Sequence, residues 1–454
     1  MKNFFYRSIN KIFSLINNFY ILVKNIFFLK LFIQEVLINK KKVFEVGNVA
    51  IGHFPISMFF SKQMFGSNIV FFYRNHIEHI ANPYNSKENV SHSNAYLKKK
   101  TAEVFNFDQK YAGVFEIMKA VKVLTFGVYN HYLIPDHMYM QKGLNYYKTF
   151  DGKTNLFEFN KDENAEGEKF LQKHNINKDN FICFIVRTSE YNKIYATSHL
   201  ASKEGSVKNF MNVDQDSYIL SLNYLANKGY KIIRMGKGFS NPFPFNHKNF
   251  FDYAVSSDRN DFLDIWLSAN CKFSFGTNNG ILHLPAVFNK PVLGTNSFPI
   301  GTIQSWLPKS IHLPRVVKRN DHYLTLKEQV ELNIIRQING DYYKSINAEV
   351  LENTPEDILG AVKDMENKLE KGFYSSELNM KFWKNLEKVW DINYHGINST
   401  KQNIFFLEKK SWDKSSKTNQ HFNKNFNDFH SIKYIQTLIP GFYLKKHKDV
   451  FKDT

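Results

Sequence analysis

The stretch DFLDIWLSANCKFSFGTNNGILHLPAVFNKPVLG, Asp261 to Gly294, switches between the two periodicities of an α/β protein. Phe262, Leu263, Trp266 and Leu267 recur at helical spacing and predict a helix over 261–269. Lys272 to Phe275 is an apolar run of strand length, and Gly276 to Gly280 is a glycine-bounded turn. A short helix then runs through Val287, and Pro291 to Gly294 reads as the next strand. Upstream, FICFIV (Phe181 to Val186) has the uninterrupted apolar character of a strand buried on both faces. Asp214 can cap a helix whose apolar positions Tyr218, Leu222 and Leu225 recur before Gly229 ends it, and Tyr230 to Gly236 is another strand. Consecutive strand-helix-strand units of this kind predict a parallel sheet that binds nucleotides. Downstream, Thr354-Pro355-Glu356-Asp357 combines a capping threonine, proline at the first helical position and acids in the first turn, and starts a helix that ends near Lys371.

The first half is less regular. Val43 to Val46 is strand-like, Gly47 to His53 forms a glycine-bounded loop, Phe54 to Phe65 has a helical pattern, and Ile69 to Tyr73 is a second apolar run. A first lobe therefore begins at about residue 43. Ala120 to Val128 is predicted as a strand, and 86–100 and 146–164 as loops or helix ends. The polar stretch from Lys161 to Gly167, a short helix to His174 and the turn from Asn175 to Asn180 read as an interdomain linker. The expected organisation is an N-terminal segment 1–42, a first lobe 43–170, a second lobe 178–370 and a helical, basic extension 371–454. Within that extension, 411–434 reads as linker or mobile surface.

A chain of 454 residues is too long for one compact core, and 43% hydrophobic with 16% aromatic residues describes a globular protein. A formal charge of +18 and a pI near 9.4 invite a polyanion as partner. The lysines are spread along the chain, however, and no basic stripe carries interleaved aromatics, so no nucleic-acid partner is expected. The two cysteines, Cys183 and Cys271, lie in apolar runs read as buried strands and are expected to be inert. No disulfide framework exists, and the expected compartment is the cytoplasm. From Phe13 to Ile38 the chain is strongly apolar, yet Lys24, Lys30 and Glu35 interrupt it before any uncharged run is long enough to span a bilayer. Residues 1–42 are left with two readings. One is a helix in the interface at the inner face of the cytoplasmic membrane, and the other is a helix packed on the first domain.

In an open parallel sheet ligands gather beyond the carboxyl ends of the strands. The residues found there are Arg187, Arg234 with Gly236-Lys237-Gly238, the turn Gly276-Thr277-Asn278-Asn279-Gly280, and Asn296. Arginine offers fixed donors to phosphate oxygens, and a glycine turn leading into a helix exposes N–H groups at the positive end of the helix dipole. Neither device needs a metal or a cofactor. His283 is expected one turn into the helix after Gly280. Each residue also has a plain structural reading: Gly280 as a turn former, Asn279 as a cap, His283 as a core histidine. Asp252 and Asp258 are read either as contacts to donor hydroxyls or as caps of the helix at 261.

FSFGTNNGILHLPAVFNKPVLGTN, Phe273 to Asn296, resembles the donor-binding segment of bacterial lipopolysaccharide heptosyltransferases and related two-lobed glycosyltransferases. In those proteins a strand, a Gly-Ser/Thr-Asp-Ser-Gly turn, a helix with His-Leu-Ala and a Pro-Val strand follow in that order. Together with FIVRTSEY, NVDQDSYILSLNYLANKGYKIIRMG and NTPEDILGAV, it makes residues 178–370 similar to a bacterial glycosyltransferase family of surface-carbohydrate assembly. The resemblance implies an α/β fold of GT-B type, with two Rossmann-like lobes whose parallel sheets face a cleft. It also implies a metal-independent enzyme that moves a sugar from a nucleoside-diphosphate-sugar donor to a carbohydrate or glycolipid acceptor. Asn278 and Asn279 stand where that family carries acidic and hydroxyl residues, so no carboxylate role transfers to them. Arg187, Arg234 and Lys237 are the expected diphosphate contacts, and for an inverting enzyme His53, in the loop after the first strand, is the expected base, its plain reading being a surface or capping histidine. Two rival readings stay open: a nucleotide-sugar epimerase or hydrolase, and a non-catalytic component of a polysaccharide assembly complex.

Overall fold

The computed structural model describes residues 2–46, 55–56, 58–59, 66–73, 94–125, 154–188, 212–277, 279–303, 307, 309–335, 337, 340–396 and 436–451. The chain divides into two compact units, one comprising Met1–Glu78 and His92–Met140 and the other His79–Ser91 and Gln141–Thr454.

In the first unit, β1 (Lys42–Val46) and β2 (Ile69–Tyr73) pair in parallel, Lys42 opposite Ile69 and Val46 opposite Tyr73. This is the strand pair expected at the start of the first lobe. Helix α1 (Lys2–Lys24) leads into short turns over Ile26–Ile38. Helix α2 (Ala95–Val104) starts at Asn94, whose side chain accepts the Leu97 N–H at 2.7 Å. Helix α3 (Tyr111–Leu124) covers the strands through Tyr111, Val114, Phe115, Ile117 and Met118. The strand expected at 120–128 is corrected by α3 over its described part. Glu116, Lys119 and Lys122 fall outside the buried stripe while the apolar residues keep helical spacing, and only the β-branched end AVKVL looks strand-like in isolation.

In the second unit, β3 (Phe181–Ile185), β4 (Lys231–Arg234), β5 (Phe250–Phe251), β6 (Ser274–Thr277), β7 (Val292–Ser297) and β8 (Ser310–Pro314) form one six-stranded sheet in the order β5-β4-β3-β6-β7-β8. Every pairing is parallel. β3 is buried along its whole length, which is why its sequence shows no alternation. Helix α4 (Lys161–Lys173) begins with a capping box between Asn160 and Glu163, and its Gly167 lies against the Trp266 ring. The short helix expected to end at His174 thus starts earlier, at Lys161, and is docked on this unit where a linker was expected.

Helix α5 (Ile219–Asn227) follows a 3₁₀ turn in which the Asp214 carboxylate accepts the Asp216 N–H at 3.0 Å, the capping role expected of it. Helix α6 (Asp261–Asn270) is capped by Asn260, which accepts the Leu263 N–H at 2.8 Å. Cys183 points towards α6, its thiol against the Leu267 carbonyl, while Phe184 packs on Tyr218 from the opposite face of the sheet. Burial pushes the Cys183 thiol well above its ordinary pKa, so it stays protonated. Cys271 follows the end of α6 and does not sit in a strand as expected; it is buried too, against the Ser268 carbonyl.

The chain between 310 and 351 was not foreseen. β9 (Val316–Arg319), β10 (His322–Tyr323) and β11 (Ala348–Leu351) make a small antiparallel sheet, with α7 (Leu326–Glu331) and α8 (Gly340–Ser345) between them. Helix α9 (Pro355–Lys371) starts on Thr354, which accepts the Asp357 N–H at 3.2 Å. Helix α10 (Glu377–Gly396) and residues 436–451 complete the core through Phe382, Trp383, Leu386, Leu438 and Tyr443. Leu438 bridges to Ile311 in parallel and covers the outer edge of β8, with His312 N–H bonded to its carbonyl at 2.8 Å.

Candidate functional site

Numbered from β3 as the first strand, the sheet order of the second unit is 3-2-1-4-5-6. The order reverses between β3 and β6, and the connections there leave in opposite directions, opening a crevice at the carboxyl ends of these two strands. Arg187 and Thr188 extend from β3, and Gly276 and Thr277 form the end of β6. The Arg187 backbone N–H donates to Thr277 Oγ1 at 2.7 Å, which fixes the start of the loop after β3. Gly276 has φ +144, and a Cβ at that position would lie 1.7 Å from the Ile185 carbonyl oxygen. Only glycine lets the two strands meet here.

The end of β7 is locked by a chain of buried hydroxyls. Asn296 Nδ2 donates to Tyr218 Oη at 3.1 Å, and Thr295 Oγ1 donates to the Gly276 carbonyl at 2.9 Å. The 2.7 Å contact between Tyr218 Oη and Thr295 Oγ1 then takes the tyrosine proton. Burial pushes the Tyr218 phenol up to about 12, so it remains a donor. Asn296 also exchanges reciprocal bonds with Asn353: its N–H donates to Asn353 Oδ1 at 2.6 Å, and Asn353 N–H donates to Asn296 Oδ1 at 2.8 Å. Asn296 therefore ties the sheet to the approach of α9, and the polar side chain read as facing a ligand is 6% exposed.

The charge at this edge comes from Arg187 and from Arg315, the residue after β8. Burial lowers the Arg315 pKa; Glu352 and Tyr218 offset this, and the positive charge of Arg187 adds to it. Arg315 is 2% exposed and its Nη2 donates to the Asn212 carbonyl at 3.2 Å, so it is held inside the fold, and the half-buried Arg187 is the guanidinium able to meet an anion at that edge. Sequence reasoning missed Arg315 because SIHLP was not read as a strand: His312 and Ser310 break its apolar run, yet both are buried. Lys237 is half-buried in the turn after β4, between Gly236 at φ +141 and Gly238 at φ +81. Arg259 Nε holds that turn by donating to the Gly236 carbonyl at 2.8 Å.

Arg234 departs from the expected phosphate contact. It is 2% exposed, its Nη1 lies 2.9 Å from Asp252 Oδ2, and its guanidinium is 4.1 Å from the Phe239 ring and 5.3 Å from the Phe243 ring. It is a cation enclosed by a carboxylate and two aromatic faces. Asp252 accepts the Phe243 N–H at 2.7 Å as well, and Asp258 binds Lys173 at 2.5 Å and His174 at 2.7 Å, so neither caps α6.

The segment after β6 also differs. Residues 279–283 are turns, and the helix that follows is a five-residue 3₁₀ element, Leu284–Phe288. Gly280 is half-buried in that turn, and the helix N-terminus expected directly after it does not exist. Asn279 Oδ1 accepts the Leu282 N–H at 3.1 Å, its plain capping role. His283 precedes the 3₁₀ element and is buried, stacked on His312 with ring centroids 5.6 Å apart and planes 14° apart. Burial pushes the His283 imidazole down to about 4. The expected residues His53 and Asn278 lie outside the described residues. Among the described residues no cluster of side chains is spaced to hold a metal ion.

No protein-family model matches the sequence, and no curated protein matches it significantly. Among solved structures, the chain is similar to the ADP-heptose LPS heptosyltransferase II of E. coli, with 12% identity and a TM-score of 0.39 over 72% of this chain and 99% of that one. It is similar also to a family 9 glycosyl transferase from Veillonella parvula, with 10% identity and a TM-score of 0.37 over 73% of this chain and 98% of that one.

Proposed function

We propose that the chain is a glycosyltransferase that binds a nucleoside-diphosphate sugar at the β3–β6 switch point of its second unit and passes the sugar to a carbohydrate or glycolipid acceptor. The observation that carries this reading is Arg187, half-buried just past the carboxyl end of β3, where a sheet ordered 3-2-1-4-5-6 reverses its order. A diphosphate is an anion that a guanidinium at a switch point suits, and the resemblance of residues 178–370 to surface-carbohydrate glycosyltransferases supports a sugar as the remainder of the donor.

In the reaction, the acceptor oxygen bonds to the anomeric carbon as that carbon's bond to the phosphate oxygen breaks. The acceptor proton passes to a base, for which His53 is the proposed residue, and the nucleoside diphosphate leaves as an anion. Arg187 stabilises the charge that grows on the leaving group, and Lys237 and Thr188, which follow β4 and β3, assist it. Asn279 and His283 act in this reading by shaping the turn beside Gly276 and Thr277, with no direct donor contact assigned to them. The proposed compartment is the cytoplasm.

The test is a thermal-shift screen against UDP, GDP, CDP, ADP and their sugars, with and without a divalent metal, followed by product analysis with the best donor. Selective stabilisation by one nucleotide, abolished in Arg187→Ala, is the expected result. A folded protein that responds to none of these nucleotides refutes the reading. Formation of an epimer or a free sugar in place of a glycoside refutes the transferase assignment.

A further inference from the structure

Helix α1 has two apolar faces. One packs along α3, with Leu22 on the first unit's core and, in the next turn, the Phe28 ring laid over Gly113, where a Cβ would lie 2.2 Å from the ring. The other face is bare. At about 100° per residue, Ile12, Phe13, Ile16, Phe19, Tyr20 and Val23 fall within an arc of about 120° on the side away from Leu22. These side chains are between 50% exposed at Val23 and 67% at Phe13, and the patch continues into Phe27 at 91%. A solvated helix face is normally polar, and a continuous apolar stripe of this length marks a surface that meets a non-aqueous partner.

The charge around the stripe says which partner. Lys24 flanks it on the helix, and Lys11, Lys30 and Lys40 are exposed in the same segment. The chain has no acidic residue before Glu35, and Glu35 is already held by Lys41 at 2.5 Å. We propose that the outer face of α1 anchors the protein in the interface of a bilayer that carries anionic headgroups, with the apolar stripe among the acyl chains and the lysines reaching up to the phosphates. Among the described residues no helix is long and apolar enough to cross a membrane, so α1 lies in the surface. A second copy of the chain is a poorer occupant, because an isologous contact through this face would bring the two sets of lysines together without compensating carboxylates.

Cosedimentation of the full chain with vesicles of phosphatidylcholine alone, and of phosphatidylcholine mixed with phosphatidylglycerol, tests the proposal. Binding is expected to the mixed vesicles and to weaken with salt. Phe19→Ser and Phe27→Ser should each lower the partition constant roughly tenfold or more, and Lys24→Gln or Lys30→Gln about fivefold each. Leu220→Ser, at an exposed leucine of the second unit, should leave it unchanged. Absence of vesicle binding overturns the proposal, as does binding that the two phenylalanine substitutions leave intact. A dimer in light scattering that Phe19→Ser dissociates, without vesicle binding, assigns the face to a second copy instead. The nucleotide thermal shift is read in parallel on each variant, so that loss of membrane binding and failure of the donor site are seen separately.

Discussion

Replacing Arg234 by alanine removes the cation that neutralises Asp252 and leaves that carboxylate, 15% exposed, beside the emptied space. Breaking a buried ion pair from one side costs about 3–5 kcal/mol, and the lost contact with the Phe239 and Phe243 rings adds about 1 kcal/mol. Since Asp252 retains some solvent and still accepts the Phe243 N–H, about 3 kcal/mol is the expected destabilisation. The double substitution Arg234→Met with Asp252→Asn removes both charges and keeps a carbonyl oxygen for Phe243. It should recover about 2 kcal/mol of that loss. All five tryptophans lie at or beyond Trp266, so tryptophan fluorescence during urea unfolding reports on the second unit alone. At a slope of about 2–3 kcal/mol/M, the single variant should unfold at a urea concentration about 1 M or more below the parent, with the double variant between them. If Arg234→Ala unfolds with the parent and instead loses nucleotide binding, the guanidinium serves a ligand, and the structural reading of this residue is wrong.

Gly276→Ala forces a Cβ into the Ile185 carbonyl and should cost more than about 4 kcal/mol, seen as insoluble or unfolded protein. Gly229→Ala, with φ +89 and nothing within 4 Å of the new carbon, should cost only about 1 kcal/mol and serves as its control. Arg187→Ala should reduce kcat/KM for the preferred donor about a hundredfold with the urea midpoint unchanged; a changed midpoint with unchanged turnover rejects the anion role. Burial depresses His283 to about 4 and lowers His312 further in the presence of its neighbour, so the unfolded chain takes up protons that the folded one excludes. Stability from these groups is complete above the ordinary histidine pKa of about 6.5 and falls towards pH 4, by about 3 kcal/mol for His283 alone. Burial raises Asp264 to about 6, and this works in the opposite sense. The informative quantity is therefore the difference between parent and His283→Gln, whose urea midpoint should fall less steeply between pH 6.5 and 4.5. Parallel slopes for the two proteins refute it.

What the sequence shows and what it hides follow a physical division. β3, β4 and the start of β7 are legible because a strand covered on both faces is largely apolar, whereas β6 lies two residues beyond the predicted 272–275 because the buried hydroxyls of Ser274 and Thr277 find partners at the Leu282 carbonyl and the Arg187 N–H. α9 is legible because Thr354, Pro355 and Asp357 meet the needs of a helix start locally. β8 is hidden because its polar groups are satisfied outside the strand: Ser310 Oγ donates to the nearby Leu307 carbonyl and touches the distant Thr437, and His312 Nδ1 lies 2.8 Å from Ser297 Oγ. The contrast between Arg187 and Arg234 has the same origin. Both follow apolar strands, and local pattern treats them alike. Only the fold brings Asp252 and Phe243 against Arg234 and leaves Arg187 half-buried past the end of β3. α3 was misread because a window of nine residues from Ala120 sees β-branched residues without the helical stripe that begins at Tyr111.

The strap over β8 gives synthesis and folding a particular order. β8 emerges from the ribosome long before residues 436–439, which supply the Leu438 carbonyl for His312 and receive the indole N–H of Trp383 at the Thr437 carbonyl. Until those residues arrive, a strand with a complete row of unpaired amides and carbonyls stands at the margin of an otherwise finished sheet. A nascent or truncated chain that stops short of Thr437 is therefore primed to recruit the same strand from a neighbour. The final segment protects the molecule from its own copies as well as filling its core.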